Sequence, residues 1–88
     1  MNSFNDVINI DGTDVAFSFS RMHTSDNDKI LVTVFEGNTS FSFQMHKTTF
    51  GEWKFIEPLP LWIVVLERQL QQAITTQMGT ITYNKETA

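Results

Sequence analysis

Residues 59–78 read LPLWIVVLERQLQQAITTQM. At about 100° per residue, Leu59, Trp62, Ile63, Leu66, Leu70, Ala73 and Ile74 fall on one stripe, as wide as a core-facing helix needs. Gln69, Gln71, Gln72, Thr75 and Thr76 lie off it. Pro60 suits the first turn, where its missing N–H costs nothing, and Gly79 suits the C′ position. The spacing predicts one long C-terminal helix. Its first two turns are apolar on the back as well, because Leu61, Val64 and Val65 point away from the stripe. Farther along, Arg68, Gln72 and Thr75 make that back polar. A helix apolar all round is normally covered all round. The cover for Leu61, Val64 and Val65 is expected from the chain's own residues 50–57 or from a second copy of the protein.

The residues before this segment alternate with the period of strands. Residues 4–10, FNDVINI, and 13–22, TDVAFSFSRM, flank Asp11–Gly12, a strong short hairpin signal for a type I′ turn. That turn sets Ile10 opposite Thr13, Ile8 opposite Val15, Asp6 opposite Phe17 and Phe4 opposite Phe19. One face then carries Phe4, Ile8, Ile10, Val15, Phe17 and Phe19, and the other carries Asn5, Asn9, Asp14, Ala16, Ser18 and Ser20. Two strands agreeing on one apolar face support the pairing. Residues 29–36, KILVTVFE, and 39–46, TSFSFQMH, repeat the pattern around Gly37–Asn38. Here Val34 pairs with Phe41, Val32 with Phe43 and Ile30 with Met45. The reverse face holds Leu31, Thr33, Phe35, Ser40, Ser42 and Gln44. Residues 52–57, EWKFIE, read as a short fifth strand or as an extended strap lying on the helix. TITYN, residues 80–84, is a possible terminal edge strand, and residues 85–88 are expected to fray.

The expected fold is therefore α+β: a four- to five-stranded antiparallel β-meander with one long C-terminal helix packed on its apolar face, ββββα in two layers. With 88 residues the chain makes one small domain. Eight Phe and two Trp supply much of its core. There is no cysteine, which excludes a disulfide framework and thiolate metal sites. Neither a cleavable signal pattern nor a membrane-length apolar run is evident, so a soluble cytoplasmic protein is expected, with no membrane partner. The net charge of −4 offers no basic footprint for nucleic acid.

Signals for chemistry are sparse. Asp26–Asn27–Asp28 resembles a fragment of a calcium loop but lacks the following glycine and the distant glutamate. His23 falls in a loop, and His46 shares a strand face with Ser40 and Ser42. Neither histidine has a carboxylate at triad spacing. Glu52 and Glu57 near Trp53 read as solvated strand-end charges. No glycine-rich phosphate loop is present. No catalytic residue, cofactor or metal is expected.

The expected function is a non-enzymatic protein-interaction module, self-associating as a homodimer or serving as an adaptor to another protein. Its candidate interface residues are Leu61, Val64 and Val65 on the helix and Leu31 and Phe35 on the outer sheet face. The alternative is single-stranded nucleic-acid binding across that outer face. The ββββα order is similar to that of PUR-type and Whirly-type domains, a likeness of topology and not of sequence. Such binding needs a basic groove beside stacking rings, and the net charge disfavours it.

Overall fold

Asp11 and Gly12 take φ values of 51° and 86°, the pair of left-handed positions that a type I′ turn demands. The computed structural model of the protein describes residues 3–22 and 29–79. In it the turn joins β1 (Ser3–Ile10) to β2 (Thr13–Met22). Asn9 braces the turn: its Oδ1 accepts from the Gly12 N–H at 3.1 Å, and its Nδ2 donates to Asp14 Oδ1 at 2.8 Å. The register is the expected one, from Ile10 opposite Thr13 to Phe4 opposite Phe19. The second hairpin joins β3 (Lys29–Glu36) to β4 (Thr39–Lys47). Gly37 has φ 60° while Asn38 stays negative, which is the type II′ pattern. Val34 faces Phe41, Val32 faces Phe43 and Ile30 faces Met45, as the alternation predicts.

The choice between strand and strap for residues 52–57 falls to a strand. β5 (Trp53–Phe55) pairs with β4, setting Lys47 opposite Trp53, His46 opposite Lys54 and Met45 opposite Phe55. Thr48 builds the connecting loop. Its carbonyl accepts from the Gly51 N–H at 2.9 Å, and its N–H donates to the Glu52 carbonyl at 2.8 Å. Gly51, at φ 85°, occupies the left-handed position that ends such a three-residue loop. The result is a five-stranded antiparallel meander, in the order β1-β2-β3-β4-β5, curled into a half-barrel.

The inner face of this sheet is the core. Phe17, Phe19, Ile30, Val32, Val34, Phe43 and Met45 are buried there, joined by Ile8 and Trp53. Phe4 closes the β1 side by stacking on Phe19, with ring centroids 4.5 Å apart. On the other side Phe55 meets Phe43 edge-on at 5.7 Å. Each such side chain contributes about 1.5–3 kcal/mol when fully withdrawn from water.

The one long helix is a correction. The segment is two short helices, α1 (Leu61–Val64) and α2 (Glu67–Ile74), followed by a π-helical turn, Thr75–Gly79. Pro60 stands at the N-cap of α1, and its carbonyl accepts from the N–H groups of Ile63 and Val64. The break lies at Val65–Leu66, where Leu66 reaches φ −93°, ψ 2° and its N–H bonds back only three residues, to Ile63 at 2.9 Å. Ile63, Val64 and Val65 are consecutive β-branched residues, which resist the helical rotamer. The tightened backbone keeps both Ile63 and Leu66 buried. Leu70, Ala73 and Ile74 continue the buried stripe, and Leu59 packs against it. Trp62 does not, and sits at the rim of the core. Gly79 ends a widened π turn instead of closing an α-helix. The element order is βββββαα, not ββββα.

Both sheet edges are blunted. In a hairpin with a two-residue turn, alternate residues turn their backbone groups outward. Val7 is one of these on β1, and its N–H is taken by the Asp6 carboxylate at 2.8 Å. At the opposite edge β5 spans only three residues. The calcium-loop fragment, His23 and the possible strand and frayed end at residues 80–88 lie outside the described residues.

Candidate interaction surfaces

The candidate interface residues fall on opposite layers of the molecule. Leu61, Val64 and Val65 belong to the broken helical segment on the inner side of the sheet. Positions i, i+3 and i+4 of one helical turn are neighbours, so the three side chains form one patch. Leu61 is 75% exposed, Val65 67% and Val64 41%. Residues 50–57 do not cover them. Pairing with β4 turns Trp53 into the core and leaves Phe50 at the tip of the β4–β5 loop, 90% exposed. Ile56 is exposed as well.

Trp62 enlarges the patch, contrary to its expected place in the core stripe. It is 37% exposed and shares a concavity of about 310 Å³ with Ile10, Thr13, Val15 and Glu36. These residues come from the hairpin ends of β1, β2 and β3, so α1 crosses the sheet at that end and covers it only partly. Phe41, on the inner face at the same end, is exposed too. Sequence periodicity placed Trp62 inside because it assumed an unbroken helix. The run of β-branched residues after Trp62 was the available sign of a break.

Leu31 and Phe35 lie on the outer face of β3, with Thr33 between them. Leu31 is half-buried, while Phe35 is 50% exposed. The register strings outer-face residues into rows across the strands. One row is Val7, Ala16, Phe35 and Ser40. The next is Asn5, Ser18, Thr33 and Ser42, in which the Thr33 and Ser42 hydroxyls are 3.0 Å apart. A hydroxyl pair across strands satisfies both groups without charge. At the far end stand Met22, Lys29, His46 and Lys54. Lys29 is six residues from Phe35 on the same strand, about 20 Å away. The exposed ring and the cations therefore do not form the joint groove that single-strand binding requires.

Among the described residues, the remaining polar side chains are scattered over separate parts of the surface. His46 is flanked by Lys29 and Lys54 on its neighbouring strands, and neither is a carboxylate. Glu52 and Glu57 are both exposed. A cleft of about 380 Å³ between β1 and α2 is lined by Asp6, Asn9, Gln69, Gln72, Thr76 and Gln77, among others. Its one charged lining group, Asp6, is already engaged with the Val7 N–H. Among the described residues no three His, Asp or Glu side chains gather as metal ligands. None of the described helices is long and apolar enough to cross a membrane. No family model, curated protein or solved structure matches this chain.

Proposed function

We propose that the protein is a non-enzymatic interaction module that binds a second copy of itself through the outward face of α1. The observation that carries this reading is the contiguous exposure of Leu61, Val64 and Val65, with Trp62 at their margin. The strap that was the internal alternative is committed to the sheet as β5. Apolar patches of this kind on small domains mark association surfaces. A twofold contact uses the same patch twice, so one apolar surface meets its equal without a second recognition element. Small domains also gain from association, since they bury a smaller share of their surface alone.

The test is equilibrium sedimentation of the protein and of Val65→Glu. The unaltered protein is expected to sediment as a dimer. Val65 is exposed in the single chain, so the variant is expected to fold and sediment as a monomer. A monomeric unaltered protein at high concentration would falsify the proposal.

A further inference from the structure

On the outer sheet face, the meander brings Lys29, His46 and Lys54 into one row on three adjacent strands. Lys29 is the Cα partner of His46, and His46 is the Cα partner of Lys54. Trp53 and Phe55 turn to the core side, so alternation turns Lys54 outward, beside His46. All three side chains are half-buried. None of them makes an ion pair or hydrogen bond among the described residues. Two ammonium groups thus flank one imidazole, each from an adjacent strand. Adjacent strands are about 4.8 Å apart, and the four-carbon lysine stems allow both ammonium groups to converge over the imidazole.

We propose that Lys29, His46 and Lys54 bind a single phosphate group, as free phosphate or as a phosphomonoester. A phosphate carries roughly −1.5 to −2 charges at neutral pH and three strong acceptor oxygens. Two ammonium groups match that charge, and the imidazole supplies a third donor between them. Of the described outer-face neighbours, Leu31 and Gln44 are uncharged, and the exposed Glu52, two residues before Lys54, stands beyond the row and not between its two ammonium groups. This site lies on the layer opposite the α1 patch, and it stands whether or not the protein dimerises.

The experiment is an NMR titration of the unaltered protein with inorganic phosphate and, separately, with glycerol phosphate, at ionic strength held constant with sodium chloride. Saturable shifts are expected at the His46 imidazole and at the Lys29 and Lys54 amides, with the α1 signals unmoved. Stronger binding of one ligand tells whether the free anion or the ester is preferred. Lys54→Gln and Lys29→Gln are each expected to weaken binding about tenfold, the loss of one charge-assisted contact, with the spectrum otherwise preserved. Shifts that fail to saturate for both ligands, or that survive both substitutions unchanged, overturn the proposal. Affinity for an oligonucleotide that grows with its length would overturn it too, replacing a single-phosphate site with a strand-binding one.

Discussion

α1 and α2 are separated by two residues and have opposite relations to solvent. In α2 the apolar residues Leu70, Ala73 and Ile74 are buried, while Arg68, Gln69 and Gln72 face water. In α1 only Ile63 is buried, although all four residues are apolar. Residue type does not separate the two helices. What separates them is the backbone turn at Val65–Leu66 and the extent of the sheet beneath. α2 crosses the buried apolar face of the sheet, whereas α1 reaches the hairpin end of that face, where the apolar surface beneath it thins to Ile10 and Val15. An apolar side chain contributes stability to the single chain only where something packs on it, so the same leucine has a different worth in each helix.

Paired truncations put numbers on this difference. Leu70→Ala is expected to cost about 2–5 kcal/mol, measured by urea unfolding of dilute protein. A loss under 1 kcal/mol, the size of a surface change, would mean that α2 does not anchor the core. Gly12→Val separates exposure from harmlessness. Gly12 is exposed, and a Cβ there meets nothing within 4 Å. Its φ of 86° nonetheless strains a β-branched residue, so a cost of about 1–3 kcal/mol is expected. An unchanged thermal midpoint would contradict the type I′ turn. Leu61→Ala is expected to have the smallest effect, within about 0.5 kcal/mol in the monomer. If it destabilised the dilute protein as much as Leu70→Ala does, α1 would be packed from outside and the contrast between the helices would disappear.

Much of the sheet was legible in the sequence because two local codes agreed. Alternation in each strand chose the buried face, and Asp11–Gly12 and Gly37–Asn38 set the register that brought those faces together. The helix break was harder to read. The signal was only three β-branched residues, and the periodicity of Leu59 to Ile74 is consistent with a straight helix. The fate of Trp53 and Phe55 was also undecided, since a strand and a strap bury the same aromatic rings. The α1 patch was read from the sequence, although whether residues 50–57 cover it depends on that long-range pairing. The row of Lys29, His46 and Lys54 could be read only in part. Hairpin register already set Lys29 opposite His46, but Lys54 joins them only once β5 pairs with β4.

The Asp6 carboxylate on the Val7 N–H has a consequence for whether further strands can add to this sheet. A strand with free backbone groups along its rim templates the next strand, and nothing in that process limits the number of copies. Here an incoming strand must first displace a charged group from the middle of β1, and at the other rim it finds only three residues of β5. Addition along the sheet is obstructed at both rims, while the α1 patch remains open to contact. Such a molecule is suited to particles of fixed size and poorly suited to fibres.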